Sequence, residues 1–559
     1  MYDKISEERK KLQEKGLAPD FWSTGGYQLF KDKYLYQADN PKDQYMRIAG
    51  TLAAHTPDPM KWKERFFQLM WKGWLSPSTP VLANCGTNRG LPVSCAGSYI
   101  GDSIDEIYSA RHETAMLTKM GFGTAGYLGD VRPRGSDISV GGKTSGVLPV
   151  LELFQKDMEY VAQGTARRGS WAGYIPIDHG DFYEVASYLE TEPDGNNIGW
   201  CVSADFIDRL MKGDKDAVDR YQTAMRTKMV TGKGYFFFPD KANEKRPQWY
   251  KDHGLDVKAP QLCNEIMLHS GPDYTYTCVL ASMNLMFYDK WKDTDAVFEA
   301  TVFLDCVVQE FIERGKNIPG LEKAIAATKR GRALGLGVCG LHTLFQKRMI
   351  PFGSLQAHIL NTEVFKYIRE EAEKATTWIA QQWGEPEWCN GYGRANTHLI
   401  AVAPTKSTAL IMGGVSEGIN PDTAMVYTQR TPAGEIDRVN PVLLDLMKER
   451  KVFSRNVVED IRDNMGSVQH VEWLTDEEKE VFKTAFEINQ MDVLRLASTR
   501  GGYIDQWQSL NLFFAAGEDE EYISEVHAKA FLDENILGLY YIYSKASIQA
   551  SRGECTACQ

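Results

Sequence analysis

From Ser76 onward, short apolar segments alternate with longer stretches of helical periodicity, and this alternation is what most restricts the fold of the chain. The apolar segments read TPVLANC, LPVSCAGSYI, GYFFFP, YTYTCVLASMNL and RALGLGVCGL. Between Asp295 and Arg314 the apolar residues recur at the spacing of a helix. Strands that alternate with helices predict a parallel sheet, because each helix returns the chain to the end of the sheet where the previous strand began. We therefore predict an α/β fold.

The first 75 or so residues instead predict a helical region. Tyr45 to Ala54 and Pro59 to Leu75 carry apolar residues three and four positions apart, as one face of a helix does. At the other end, residues 544–559 are small and polar without periodicity, which predicts a mobile tail. The expected organisation is a helical region at 1–75, an α/β domain at 76–543 and the tail. We expect five aromatic residues of the helical region to lie in its core: Trp62, Phe66, Phe67, Trp71 and Trp74.

Composition narrows the class of protein. A net charge of −12 disfavours a nucleic-acid-binding surface. The N-terminal sequence MYDKISEERKKLQEKG contains no apolar signal segment, and no apolar run reaches the roughly 18 residues of a membrane span. Ten cysteines without a secretory signal favour a reducing compartment with free or catalytic thiols. We expect a cytoplasmic protein that binds neither membrane nor nucleic acid.

Three groups of cysteines are candidates for chemistry. Cys555 and Cys558 form a C-x-x-C at the chain end, which suits disulfide exchange with a partner better than metal binding. Cys263 lies two residues from Glu265, and the two side chains share a face if this segment is extended. A buried structural cysteine is the alternative there. A further pair, Cys95 and Cys278, lies on separate predicted strands and matters only if the fold brings the two together.

Other motifs each allow a structural reading and a functional one. The run APTKSTA at 403–409 is either a plain helix cap or a phosphate site built from hydroxyls and backbone N–H groups. The segment from Gly164 to Gly169 is either an anion-contacting loop or a basic turn. The adjacent Tyr540 and Tyr541 are either packing residues or stepping stones for oxidation.

Taken together and in this order, the motifs resemble the large subunit of class I ribonucleotide reductases from about Ser76 to the C-terminus. The matching motifs are STP (78–80), SC (94–95), GDSID (101–105), QG-x-x-RRG (163–169), LC-x-E (262–265), TC (277–278), PTKSTA (404–409), GGYIDQ-x-x-S-x-N (501–511), the tyrosine pair and the terminal C-x-x-C. The resemblance implies a ten-stranded α/β barrel with a central finger loop, preceded by a helical region. It also implies a short form without an N-terminal ATP-cone, which suggests a compact genome such as that of a virus or phage.

The resemblance assigns the catalytic roles. Cys263 corresponds to the thiyl radical that removes the 3′ hydrogen of the ribose, and Glu265 to the base at the 3′ hydroxyl. Cys95 and Cys278 correspond to the pair that supplies two electrons as the 2′ hydroxyl leaves. Many relatives have asparagine where this chain has Gln261, which keeps an amide but lengthens its reach. The implied substrate contacts are Thr79, Ser94, Thr405, Lys406, Ser407 and Thr408.

The resemblance also implies a ribonucleoside diphosphate as substrate and several partners of this chain. Tyr541 and Tyr540 correspond to the relay that receives an oxidising equivalent from a ferritin-like, metal-containing small subunit, so this chain needs no metal or other cofactor of its own. Cys555 and Cys558 correspond to tail thiols that pass a disulfide to thioredoxin or glutaredoxin. A deoxynucleotide or ATP is expected as specificity effector of a homodimer. The effector site corresponds to Asp102 and Arg132, and the specificity loop to Gln163, Gly164, Arg167, Arg168 and Gly169.

Three alternatives remain open on the sequence. An adenosylcobalamin-dependent reductase would share the cysteines but make its radical without a partner subunit. A non-radical thiol–disulfide oxidoreductase needs only the C-x-x-C. An inactive nucleotide-binding regulator would keep the effector site alone, and the presence of all five redox cysteines disfavours it.

Overall fold

The structure is a computed structural model that describes residues 2–163, 167–194, 197–431 and 434–544. Gly164 and the tail cysteines Cys555 and Cys558 lie outside these residues. Ser544, assigned to the tail from its composition, is the last residue of a strand. Across the described ranges, no helix is both long enough and apolar enough to cross a membrane.

The N-terminal region is helical, as predicted. It comprises α1 (Tyr2–Glu14), α2 (Thr24–Leu29), a π-helical turn (Phe30–Tyr34), α3 (Pro41–Ala53) and α4 (Pro59–Trp71). Asn40 and Asp58 cap α3 and α4 through their side chains, and a proline follows each cap where its missing N–H costs nothing. Helix α4 ends at Trp71, four residues before the predicted end. Trp62, Phe66 and Phe67 are buried, and Trp71 and Trp74 pack partly buried against the core.

Strands and helices alternate through the rest of the chain. The strands are β1 (Leu75–Pro77), β2 (Cys95–Tyr99), β3 (Gly123–Tyr127), β4 (Ala162–Gln163), β5 (Arg167–Arg168), β6 (Trp171–Pro176), β7 (Asn197–Cys201), β8 (Tyr235–Phe237), β9 (Tyr276–Asn284), β10 (Leu334–Cys339), β11 (Val426–Thr431), β12 (Gly434–Val439), β13 (Leu512–Phe514), β14 (Gly538–Leu539) and β15 (Ile542–Ser544). Four of the five apolar segments of the sequence contain a strand: β2, β8, β9 and β10.

The remaining helices lie between and after these strands in the chain. They are α5 (Thr79–Asn84), α6 (Ile104–Lys119), α7 (Val147–Tyr160), α8 (Phe182–Thr191), α9 (Ala204–Met211), α10 (Lys215–Thr231), α11 (Pro239–Lys245), α12 (Gln248–Asp252), α13 (Tyr288–Trp291), α14 (Ala296–Gly315), α15 (Glu322–Gly331), α16 (Leu341–Lys347), α17 (Leu355–Trp383), α18 (Lys406–Ile411), α19 (Pro441–Glu449), α20 (Arg455–Asp463), α21 (Asp476–Val481), α22 (Gln490–Gly501) and α23 (Glu520–Leu532), with 3₁₀ turns at Leu285–Phe287 and Glu387–Cys389.

The fifth apolar segment, TPVLANC, is a correction to the strand pattern, because it forms helix α5. Ser78 precedes the helix in an extended conformation, and Pro80 occupies its first turn. A segment of seven mostly apolar residues is too short to separate a buried strand from a buried helix by periodicity alone. The proline fixes a helical φ at the first turn and cannot donate to a sheet ladder, which favours the helix.

The sheet closes into a barrel of two parallel halves. In the first half β2, β3, β6, β7 and β8 pair in parallel order. The second half runs in parallel from β9 to β10, then by bridges to the segment 398–402, to 507–514 and, through β13, to β15. The halves meet antiparallel at β2–β9 and at β8–β14. Counted over the described residues, these pairings join ten strand segments, which we call staves, in a closed ring. This ring is the α/β barrel that the resemblance implied.

A buried polar network holds the second half of the barrel to the helical layer. The guanidinium of Arg332, just before β10, donates to both carboxylate oxygens of Asp305 in α14, at 3.0 and 2.8 Å. Asn396, just before stave 398–402, donates to Asp305 Oδ1 at 2.8 Å and to the Arg332 carbonyl oxygen at 2.9 Å. The Asp305 side chain is only 4% exposed. One carboxylate therefore orients two neighbouring staves.

Removing the cation from this network is expected to destabilise the barrel. Arg332→Leu leaves the buried Asp305 carboxylate without its charge partner, which costs about 3–5 kcal/mol. Chemical denaturation followed by circular dichroism measures the change. As a matched control, Lys156→Leu removes a cation from an exposed pair with Glu159 and should leave the midpoint unchanged. Equal midpoints for both variants would contradict the assignment of Asp305 as a structural centre.

Candidate active site

The loop between α12 and β9 enters the barrel and carries Cys263. We call residues 259–268 the finger loop; all of them are buried. The loop turns at Asn264, whose φ of 67° is left-handed, so this segment is not the extended strand that the residue spacing assumed. Gln261 stabilises the turn from within, because its side-chain oxygen accepts from the N–H groups of Glu265 and Ile266 at 3.0 and 2.9 Å. Gln261 itself does not line the pocket described next.

Cys263 and Glu265 nevertheless line one pocket. Burial raises the pKa of the Glu265 carboxyl to about 7, although Gln261 and Ser509 lower it in part. The Ser509 hydroxyl lies 2.7 Å from the Cys263 carbonyl oxygen and 3.0 Å from Glu265 Oε2, and donates to one of them. A carboxyl poised near neutrality beside a thiol can accept or release a proton at physiological pH.

The antiparallel seam between β2 and β9 brings the second cysteine pair together. Cys95 and Cys278 are directly opposite each other in its register. Opposite residues in an antiparallel pair have Cα atoms about 4.5–5.5 Å apart, which lies within the range of disulfides. Cys95 lines the pocket, whereas Cys278 lies behind it, fully buried, with Gln506 Nε2 donating to its sulfur at 3.6 Å. Burial raises the pKa of the Cys278 thiol.

The pocket is also rich in hydroxyl groups. Helix α18 begins at Lys406, after Thr405 in a left-handed conformation, and Ser407 and Thr408 lie in its first turn. The Thr405 hydroxyl accepts from the Gly418 N–H at 2.9 Å, which fixes this bend. Thr79 at the start of α5 and Ser94 line the same pocket, and the Ser94 hydroxyl donates to Ser78 Oγ at 2.8 Å. Hydroxyl groups, backbone N–H groups and a lysine in this arrangement suit an anionic group. All six substrate contacts that the resemblance implied line this one pocket.

The N-terminal helical region also contacts these hydroxyl groups, which the sequence did not reveal. Lys33, in the π-helical turn, donates to Ser407 Oγ at 3.4 Å. The Tyr34 hydroxyl lies 3.0 Å from Thr79 Oγ1. No local motif marks either residue. Ser509 and Gln506 were also missed as site residues, although both lie in the GGYIDQ-x-x-S-x-N motif.

The tyrosine pair packs in a larger aromatic column. The ring centroids of Tyr540 and Tyr541 are 4.4 Å apart. Tyr235 of β8 packs against both, at 4.6 and 5.2 Å, and Tyr543 lies 5.6 Å from Tyr541. We call these four residues the tyrosine column. Buried Lys228, whose pKa is lowered to about 7 by burial, donates to the Tyr540 carbonyl oxygen at 2.6 Å.

The finger loop rests on the strand that leads into this column. Asn264 Nδ2 donates to the Phe236 carbonyl oxygen at 3.1 Å. A Cβ at Gly538, two residues before Tyr540, would lie 2.8 Å from the same amide nitrogen, so glycine is required for this close approach. Cys263 is thereby joined to the column through its neighbour in the chain.

The candidate effector residues lie away from the pocket. Arg132 donates to Asp102 twice, from its backbone N–H at 3.0 Å and from Nε at 2.5 Å, and both side chains are partly exposed. Backbone pairing joins Gln163 to Arg167 in the β4–β5 hairpin, and Gly169 follows it. A Cβ at Gly169 would lie 2.4 Å from the Val161 carbonyl oxygen. Among the described residues, no group of three or more His, Cys, Asp or Glu side chains is arranged to hold a metal ion.

Comparison with known proteins identifies the family. The model of the ribonucleotide reductase all-alpha domain matches residues 21–90, and that of the ribonucleotide reductase barrel domain matches 93–216, 204–391 and 386–542. A protein of Frog virus 3, whose name describes a ribonucleoside-diphosphate reductase large subunit, is 34% identical over 92% of this chain and 95% of its own length. The ribonucleoside-diphosphate reductase large subunit of Invertebrate iridescent virus 3 is 28% identical over 96% of this chain and 98% of its own length.

A solved structure has the same architecture. The class Id ribonucleotide reductase alpha subunit of Actinobacillus ureae superposes with a TM-score of 0.87 and 37% sequence identity, covering 95% of this chain and 99% of that one. The family models cover the helical region and the barrel, and the barrel contains the paired cysteines and the finger loop. The chain therefore belongs to the ribonucleotide reductase family, as a large subunit of the class I type.

Proposed function

We propose that this chain reduces ribonucleoside diphosphates to deoxyribonucleoside diphosphates by thiyl-radical chemistry. The observation that carries the proposal is the shared pocket, whose lining contains Cys263, Glu265 and Cys95 together with the hydroxyl-rich turn at the start of α18. Relatives named as ribonucleoside-diphosphate reductases support the diphosphate as substrate. The phosphates bind at Thr405–Thr408, and the ribose lies between Cys263 and Cys95.

Each group at the ribose has one task. The Cys263 thiyl radical takes the 3′ hydrogen atom, while Glu265 accepts the 3′ hydroxyl proton. Loss of the 2′ hydroxyl as water then becomes possible at the neighbouring carbon. Cys95 and Cys278 supply two electrons and two protons and become a disulfide. Cys263 finally returns the hydrogen atom to C3′ and is again a thiyl radical, and Glu265 returns the proton to the 3′ oxygen. Gln261 acts as a positioning residue, because its amide oxygen holds the turn that carries Cys263 and Glu265.

The same proposal includes the partners. A metal-containing, ferritin-like subunit supplies the radical, which passes from Tyr541 to Tyr540 and then to Cys263. Cys555 and Cys558 of the tail reduce the Cys95–Cys278 disulfide by exchange and pass it to thioredoxin or glutaredoxin in the cytoplasm. A deoxynucleotide or ATP binds near Asp102 and Arg132 of a homodimer. The segment Gln163–Gly169 connects that effector to the substrate base.

The first test separates radical relay from a cobalamin-dependent reaction. Labelled CDP is incubated with dithiothreitol and an effector nucleotide, together with either a metal-loaded small subunit or adenosylcobalamin. We expect deoxycytidine diphosphate only with the small subunit. Cys263→Ser and Tyr541→Phe should each abolish turnover, because one lacks the thiyl and the other cannot lose a phenolic hydrogen atom.

The matched control is Cys389→Ala, which removes a buried thiol outside the pocket and should retain turnover. Turnover with adenosylcobalamin alone would assign the chemistry to a different radical source. Full activity of Cys263→Ser would exclude the thiyl mechanism.

The seam predicts a product disulfide. In a Cys555→Ser, Cys558→Ser background without dithiothreitol, a single turnover should leave Cys95 and Cys278 as a disulfide that the tail cannot reduce, detected by mass spectrometry of the digested protein. Cys278→Ser should support no reduction of CDP, since one thiol alone cannot supply two electrons. The control is Cys201→Ser, which alters a buried thiol at the end of β7. A disulfide that includes Cys201 in place of Cys278 would contradict the register.

The raised pKa of Glu265 predicts a pH dependence. The carboxylate is the form that accepts the 3′ proton, so the rate of the chemical step should rise with pH through about 7 and level off above it. Glu265→Gln should lower the rate by about a hundredfold or more and remove this limb of the profile. Single-turnover measurements from pH 6 to about 8.5 test this. An unchanged limb in the variant would assign the titration to another group.

A further inference from the structure

Lys406 contacts two parts of the site that the reaction uses at different moments. It lines the pocket beside Ser407 and Thr408, where the phosphates of the proposed substrate bind. Its Nζ also donates to the Tyr543 hydroxyl at 3.1 Å. The same nitrogen lies 5.7 Å from the ring centroid of Tyr541 and 5.6 Å from that of Tyr543. One ammonium group therefore faces both the phosphate end of the pocket and the tyrosine column.

We propose that Lys406 is a substrate sensor for the radical relay: with the pocket empty its ammonium opposes oxidation of Tyr541, and a bound diphosphate relieves that opposition. The inference rests on the proposed function, because it needs both the diphosphate and the relay. It adds a coupling residue that joins them within this one chain.

The coupling follows from the charge balance of the first relay step. Tyr541 loses one electron to the oxidised group of the partner subunit and its phenolic proton to a water molecule. Tyr541 then takes a hydrogen atom from Tyr540, which takes one from the Cys263 thiol. A cation beside the ring is attracted to its π electrons, and it repels the positive charge that develops as an electron leaves. Loss of the electron is therefore hardest when the ammonium lies over the ring.

A diphosphate changes this balance without any movement of the barrel. Phosphate oxygens at Ser407 and Thr408 would attract the ammonium of the adjacent Lys406 and offset its charge. The side chain then turns from the Tyr543 hydroxyl toward the phosphate, a rotation that a long lysine side chain makes easily. The radical would thus enter the chain only when a substrate is present to use it.

Lys33 provides a matched comparison. It is a second lysine beside residues 405–408, which we call the phosphate turn because the proposed function binds the phosphates there. Its Nζ donates to Ser407 Oγ at 3.4 Å. Its aromatic neighbour is Tyr34, whose ring centroid is 5.6 Å away and which does not belong to the tyrosine column. Removal of either lysine weakens phosphate binding, but only the removal of Lys406 takes a cation from the column.

The experiment places 3-aminotyrosine, which is oxidised more easily and traps the radical, at position 541 of the full chain. The complex with the metal-loaded small subunit and effector is sampled with and without saturating CDP, and the trapped radical is counted by electron paramagnetic resonance. In the otherwise unchanged chain we expect CDP to increase the trapped radical about fivefold or more. In Lys406→Met the yield without CDP should rise to the level seen with CDP, so that the ratio falls to about one.

The remaining variants separate sensing from binding. Lys33→Met should keep the CDP-dependent increase, although its KM for CDP rises about tenfold through the lost positive charge beside Ser407. Lys406→Arg keeps the charge and should restore the dependence on CDP. If Lys406→Met retains the same increase at saturating CDP, Lys406 is only a phosphate ligand and the inference is wrong. If no radical is trapped in any of these chains, including the one in which both lysines are unchanged, the relay of the proposed function is itself wrong.

Discussion

The antiparallel seam between β2 and β9 is the interaction on which the site depends. Elsewhere around the ring the neighbouring staves within each half run parallel, and side chains of parallel strands do not meet in the same directly opposed pairs. At the seam Cys95 and Cys278 are opposed, so two thiols far apart in sequence come within disulfide distance. The same strand β9 pairs with β1 on one side and β10 on the other, which sets the wall of the pocket.

Burial of the finger loop determines the chemistry of its side chains. A loop in water would leave Glu265 an ordinary carboxylate, whereas inside the barrel the loss of solvation brings its pKa near neutrality. Such a loop must satisfy its own backbone, because water is excluded. Gln261, Tyr174 and Ser509 do so here, by bonding the N–H groups of Glu265 and Ile266 and the carbonyl oxygens of Gln261 and Cys263. The polar shell of the loop is thus a requirement of its position.

Elements far apart in the chain meet around the turn at 405–408. The N-terminal region contributes Lys33, which contacts Ser407, and Tyr34, which contacts Thr79, and the last described strands contribute the tyrosine column. Between them lies α18, whose first residue contacts Tyr543. Lys406 thereby joins this turn to the column, which gives a physical route by which a bound substrate would affect the column.

The sequence predicts the helical region and four of the five proposed strands, and its family motifs mark the residues that form the finger loop and the turn at 405–408. These features are local: side-chain periodicity, helix caps and short motifs act over a few residues. It did not determine that TPVLANC is a helix, because a short apolar run fits either element. Tertiary contacts alone establish that Cys95 opposes Cys278, that burial raises the pKa of Glu265 to about 7 and that Lys33 contacts Ser407 beside Lys406. Each of these depends on strand register or on burial, and both are set by contacts between residues far apart in the chain.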